Sequence, residues 1–235
     1  MIGELKRISS SPFGYSEEDM AQAFQRLLLS ENGLPSVGVF GAIYREITCQ
    51  QGRPDFIALR YTSTTGEGEH MNVRGLVAPA ILKRLKPAAP RTIDYLVSTL
   101  EFGRESIRRS LRQLIERGYV EQLEGGAYRL ANVNQIHTPE IWTFELKLSN
   151  PKKAVFQAQQ SRAYAERAII VVPPGQEKNY ERFRETMQRW HIGLARFDPL
   201  TGIFRFVRKG RRSHALSPTQ QIYTLSQIAK RHERE

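Results

Sequence analysis

Apolar and polar positions along the chain follow two rhythms, and the changes between them mark the elements. Met20, Phe24, Leu27 and Leu28 fall at helical spacing behind Ser16, Glu17, Glu18 and Asp19. This predicts a helix over 16–30, with Ser16 as N-cap and the three acids where the helix dipole favours negative charge. Asn32-Gly33 and Pro35 stop it. Residues 39–61 read as a β-hairpin, with strand-favouring residues over 40–48, a turn at Gly52 and a return strand over 55–61 in which Phe56, Ala58 and Arg60 alternate with Asp55, Ile57 and Leu59. A polar stretch, Thr62–Asn72, and a second, Asn132–Pro139, bracket a basic, mostly helical segment over 76–130.

Beyond the second linker, strand character returns over 141–148, followed by a helix over 151–168 and a buried strand over 169–172 that ends at Pro173-Pro174. An amphipathic helix over 177–190 and a hairpin of 193–197 with 203–207 come next. The last helix, 217–231, has Ser217 as N-cap, Pro218 at its first position and Gln220 placed to close a capping box.

Composition narrows the class. Of 235 residues, 40% are hydrophobic and 25% charged, which excludes wholesale disorder. No apolar run approaches the roughly 20 residues of a membrane span, and Met1–Ser11 lacks the apolar segment of a secretory signal. Cys49 is the single cysteine, so an internal disulfide and a cysteine zinc site are both excluded. The histidines are scattered without metal-ligand spacing. The expectation is a cytoplasmic protein with no membrane association. A net charge of +11 points to a polyanionic partner without naming it.

Within the basic segment, Ile93, Leu96 and Leu100 form one helix face, Phe102-Gly103 a turn, and Ile107, Leu111 and Leu114 the buried side of a second helix. A hairpin around Gly125-Gly126 follows. This order looks like a winged-helix domain, with 76–86 supplying its first helix. The resemblance implies that the second helix of the pair meets nucleic acid through Arg104, Arg108, Arg109 and Arg112. The plain alternative is a solvated helix laced with ion pairs to acids such as Glu105. A second basic run, Arg205, Arg208, Lys209, Arg211 and Arg212, reads as a phosphate-contacting stretch kept flexible by Gly210, or as a solvated tail.

The chemistry sits on two strands. Asp55 opens the return strand after Pro54. In Trp142-Thr143-Phe144-Glu145-Leu146-Lys147-Leu148, a period of two sets Glu145 and Lys147 on one face and Trp142, Phe144, Leu146 and Leu148 on the other. Two ionisable residues inside so apolar a strand are costly unless they are used or paired.

Pro54-Asp55, then Glu145-Leu146-Lys147, then a glutamine-bearing helix and an apolar strand resemble the PD-(D/E)xK nuclease superfamily, over 16–61 and 139–207. The resemblance implies an α/β (α+β) fold of the restriction-endonuclease-like kind, a mixed sheet flanked by helices. It implies a Mg²⁺- or Mn²⁺-dependent endonuclease hydrolysing DNA. Asp55 and Glu145 would be metal ligands, joined by the Leu146 carbonyl, and Lys147 would orient the attacking water. Gln157 is the best match to the family's helical glutamine, with Gln160 and Tyr164 as a second spacing. Glu18 resembles the family's helical glutamate, Glu17 matches nearly as well, and Glu46 is an outer candidate.

The departure is the long gap between the halves, which is read as a winged helix inserted at a hairpin tip. The expected organisation is a nuclease-like domain in two parts, 1–72 and 136–212, an inserted domain at 73–135 and a C-terminal helix at 213–235. Stand-alone nucleases of this kind are usual in restriction or phage defence. The alternatives are a non-catalytic DNA-binding regulator on the same scaffold, and an assembly subunit that pairs with itself or a partner protein through the winged helix and the apolar side of the last helix, Ile222, Leu225 and Ile228.

Overall fold

The computed structural model describes residues 12–61, 76–131 and 139–232. In chain order its elements are α1 (Glu17–Leu28), β1 (Ala42–Arg45), β2 (Phe56–Arg60), α2 (Val77–Arg84), β3 (Arg91–Thr92), α3 (Ile93–Leu100), α4 (Arg104–Glu116), β4 (Val120–Gln122), β5 (Ala127–Leu130), β6 (Glu140–Leu146), α5 (Pro151–Ser161), β7 (Arg167–Val172), a 3-10 run (Gln176–Phe183), α6 (Arg184–Arg189), β8 (Gly193–Phe197), β9 (Phe204–Arg208) and α7 (Pro218–His232). The architecture is mixed α/β, and the chain divides into two compact units. One lies within Met1–Ile47, Gly52–Arg60 and Glu140–His214; the other within Thr48–Gln51, Tyr61–Pro139 and Ala215–Glu235. The linker read at 62–72, all but Pro139 of the one read at 132–139, and the domain boundaries at 72 and 135 lie outside the described residues. Among the described residues no helix is long and apolar enough to cross a membrane.

The first unit is built on a six-stranded sheet in the order β1-β2-β6-β7-β8-β9. β6 is its central strand, antiparallel to β2 and parallel to β7, and all seven of its residues are buried. One face is covered by α1. Ser16 caps that helix through a reciprocal box, with Asp19 N–H donating to Ser16 Oγ (3.1 Å) and Ser16 N–H to the Asp19 carboxylate (2.8 Å). Phe24, fully buried, meets the rings of Phe56, Phe144 and Phe197 edge-on at centroid distances of 5.6, 5.3 and 5.3 Å. Such aromatic pairs add about 0.5–1.5 kcal/mol each beyond their buried area. α5 packs on β6 and β7, and its buried Ala154, Val155 and Ala158 join Ile170 and Val172 in a second core.

Two helices differ from the expected limits. α5 stops at Ser161 instead of running to 168, because Arg162 turns inward. Its buried guanidinium donates to the carbonyls of Ala165, Ser213 (3.3 Å) and His214 (3.0 Å), and to Ser213 Oγ, and this closes the turn ahead of β7. The helix expected over 177–190 is a 3-10 run followed by α6. Its inward side chains explain the change: Tyr180 and Phe183 are three apart, matching a three-residue turn, and Met187 is four further on, matching an α turn.

The second unit has the order helix, short strand, helix, helix, hairpin, with a three-stranded antiparallel sheet β3-β5-β4. Gly125 and Gly126 take positive φ (85° and 77°) at the hairpin turn, where side chains would be strained. The core joins Ile81, Leu96, Ile107, Leu111, Leu114 and Val120. Ile222 of α7 completes it, so the last helix packs within this unit and does not stand apart. At the start of α7 the Gln220 N–H donates to Ser217 Oγ at 3.4 Å, but Gln220 Oε1 is buried without a partner among the described residues. The expected capping box is therefore half formed.

Candidate active site

The register of β2 on β6 pairs Phe56 with Phe144 and so carries Asp55 to the end of β6 where Glu145 and Lys147 lie. Beyond the last strand pair, Asp55 Oδ2 takes the place of a neighbouring strand carbonyl and accepts the Leu146 N–H at 2.7 Å. The same oxygen lies 3.3 Å from Lys147 Nζ, which also donates to the Leu146 carbonyl at 2.8 Å. The structure thus brings Asp55, Glu145 and Lys147 to one strand end. Glu145 and Lys147 are both buried, at 2% and 8% exposure.

Glu145 Oε2 has no partner among the described residues. Burial pushes its carboxyl up to about 8, and the charge on Asp55 pushes the same way; Lys147 and Lys153 act against them. α5 packs on β6, and Gln157 on that helix also has a buried Oε1 without a partner among the described residues. Gln160 lies toward the turn that precedes Asp55. A Cβ on Gly52, whose φ is +102°, would stand 3.4 Å from Gln160 Oε1. Tyr164 is buried with its hydroxyl 3.3 Å from Ser161 Oγ.

The two candidate helical glutamates take different places. Glu18 faces β1, where Arg45 holds it bidentately (3.0 and 2.8 Å); that pairing, helped by Gln22, keeps its carboxyl below the usual range. Glu17 is the residue at the site. Its Oε1 accepts the Leu148 N–H (3.1 Å) and its Oε2 lies 3.9 Å from Lys147 Nζ. Helical spacing holds the signal: Glu17 is three residues before Met20 and seven before Phe24, on the stripe that faces the sheet, and Glu18 is a further 100° or so around. Glu46 is spent on an ion pair with Arg53.

Among the described residues no group of three or more His, Cys, Asp or Glu side chains is arranged to hold a metal ion. What the strand end offers is two carboxylates and a backbone carbonyl. That oxygen-only set fits Mg²⁺, which keeps several waters and takes one or two carboxylates, and it does not fit Zn²⁺.

The expected nucleic-acid residues divide. On α4, Arg104 pairs with Asp94, and Arg112 is 3.6 Å from Glu105. Arg108 and Arg109 are exposed and make no ion pair among the described residues. In the second basic run, Lys209 lies 5.9 Å from the Phe206 ring, Arg211 is exposed, and Arg212 Nε is 3.4 Å from the buried Glu140. Arg208 folds back toward Met187 Sδ (3.0 Å), and burial lowers its pKa.

Gly210 is not the flexible joint expected. It is buried, and a Cβ there would stand 2.5 Å from the His191 carbonyl oxygen. Gly210→Ala is expected to cost about 1–3 kcal/mol, read as a lower urea midpoint at unchanged slope.

Neither a scan against protein-family models, nor a search of curated proteins, nor a search of solved structures finds a match to this chain.

Proposed function

We propose that this chain is a Mg²⁺-dependent nuclease that hydrolyses phosphodiester bonds of DNA, with its second unit acting as a winged helix that contacts the duplex. The observation that carries the reading is the convergence of Asp55, Glu145 and Lys147 at one strand end, with a buried Glu145 oxygen that no described group satisfies. The residue order resembles the PD-(D/E)xK superfamily, and the mixed sheet with β6 at its centre accords with it.

Asp55 and Glu145, with the Leu146 carbonyl, would hold the ion. An ion held there would supply Lewis-acid chemistry, lowering the pKa of a bound water and offsetting phosphate charge. Lys147, fixed by Asp55 and by the Leu146 carbonyl, places a positive charge where negative charge builds on the scissile group and can orient the attacking water. Glu17 keeps that ammonium toward the strand end. Gln157 offers an unspent acceptor from the flanking helix.

The test is incubation of supercoiled plasmid, linear duplex, single strands and RNA with the protein in Mg²⁺, Mn²⁺ or chelator. Metal-dependent nicking or linearisation of DNA is the expected result. Duplex binding with no cleavage in either metal turns the reading to a non-catalytic DNA-binding protein. On α4, a paired Arg108→Ala and Arg109→Ala variant is expected to weaken duplex binding. It should also flatten the dependence of log K on log salt by about 2, near 0.9 for each phosphate no longer neutralised. Binding by fluorescence anisotropy across a salt series measures it.

A further inference from the structure

We infer that the end of β6 remote from Glu145 carries a second site, for a phosphate group. The cavity there measures about 130 Å³ and is lined by cations and aromatic rings: Arg60, Arg167, Lys209, Trp142 and Phe206 are among its walls. Among the described residues no carboxylate lines it. Trp142 is 3% exposed, yet its Nε1 has no acceptor among the described residues. That N–H is closed off from solvent, so the ligand of the cavity is read from its charges and rings alone.

The charges give the ligand its chemistry. Glu140, buried, is the carboxylate these arginines meet: Arg167 Nε at 3.0 Å, Arg212 Nε at 3.4 Å and Arg60 Nη1 at 3.8 Å. Arg60, Arg167 and Lys209 line the cavity while Arg212 does not, so the lining stays positive with one carboxylate, Glu140, behind two of its cations. Arg167 is held in place from two further sides, lying 4.7 Å over the Trp142 ring and donating to the Gly210 carbonyl at 2.9 Å. The close approach of Gly210 to the His191–Gly193 backbone fixes the strap that presents Lys209.

A positive rim suits a dianionic oxyanion, and guanidiniums favour phosphate geometry. A cavity of about 130 Å³ has room for a phosphate group. Trp142 and Glu145 lie on opposite faces of β6, three residues apart, so this site is separate from the carboxylate end and does not rest on the nuclease reading.

Two sources share this chemistry: free phosphate, and the terminal phosphate of a nucleic-acid strand. Calorimetric titration at constant ionic strength and without divalent metal tests both. Inorganic phosphate is the first probe, with chloride as control. The second compares one short oligonucleotide with and without a 5′-phosphate. Saturable phosphate binding in the millimolar range is expected, weakened at least tenfold in Lys209→Gln. A tighter hold on the phosphorylated strand, lost in Lys209→Gln, identifies a strand end; equal affinity for both strands identifies free phosphate. The inference is overturned if neither probe binds above the chloride control, or if Lys209→Gln, at an exposed position that leaves the core intact, binds both probes as the wild type does.

Discussion

Lys147→Ala is expected to lower the single-turnover rate of Mg²⁺-dependent DNA cleavage by about 10²–10³-fold, with duplex affinity within about threefold of wild type. The size follows from where the ammonium sits. Its side chain is 10% exposed and bonded to the Leu146 carbonyl and Asp55, so its charge acts in a water-poor site where it is little screened. Alanine removes that charge from the point where negative charge develops and leaves Asp55 with the Leu146 N–H alone. Binding is spared because the exposed Arg108 and Arg109 lie on α4, in the other unit. Folding is little affected, since Asp55 keeps 29% exposure and can be solvated in place. Quenched-flow cleavage alongside anisotropy separates the two quantities. An unchanged rate removes Lys147 from the chemistry, and with it the reading of the strand end as a nuclease site.

The second large effect is on stability, and it depends on pH. Glu145 is held at about 8 in the fold against 4.5 as its ordinary value. The folded chain therefore retains a proton that the unfolded chain releases, and stability associated with the neutral acid is full below about pH 4.5 and falls as pH rises to 8. At roughly 1.4 kcal/mol per pH unit the loss amounts to on the order of 3–5 kcal/mol. Glu145→Gln is neutral throughout. The variant is expected to match wild type near pH 4.5 and to exceed it progressively toward pH 8. Mg²⁺ should raise the wild-type melting temperature most at the alkaline end, because ligation requires the ionised carboxylate, and should leave the variant unmoved. Parallel wild-type and variant curves across that range show that Glu145 ionises freely.

Much of the architecture was legible because local spacing carries it. The serine followed by three acids ahead of Met20 marks the start of α1. The two-residue alternation from Trp142 to Leu148 marks the central strand, and the paired glycines at 125–126 mark a hairpin. What escaped depends on partners distant in sequence. Nothing near Arg162 announces that it turns inward to hold Ser213 and His214, so local spacing predicts a longer α5 than the fold holds. Gly210 reads as a loose joint until His191 and Gly193 are seen against it. The α4 arginines look alike in sequence, and only Asp94 and Glu105 separate the paired from the unpaired. Glu17 and Glu18 differ by one step of a helix, which a count from the buried stripe resolves and a motif match does not. Arg212 stands out in the sequence only as one of a basic run, and its meeting with Glu140, Arg60 and Arg167 is not legible there, because four residues from distant stretches of chain meet only once the sheet is formed.

The placement of Ile222 in the core of the second unit bears on how the protein is made. A ribosome delivers α2, α3 and α4 long before α7, and delivers β2 before the β6 that it pairs with on the sheet. A nascent chain that ends before residue 139 therefore holds one unit without its closing helix and the other with an open strand edge. Both units reach their finished cores only as the C-terminal part of the chain emerges, so translation that halts in the middle leaves apolar surface exposed on both at once.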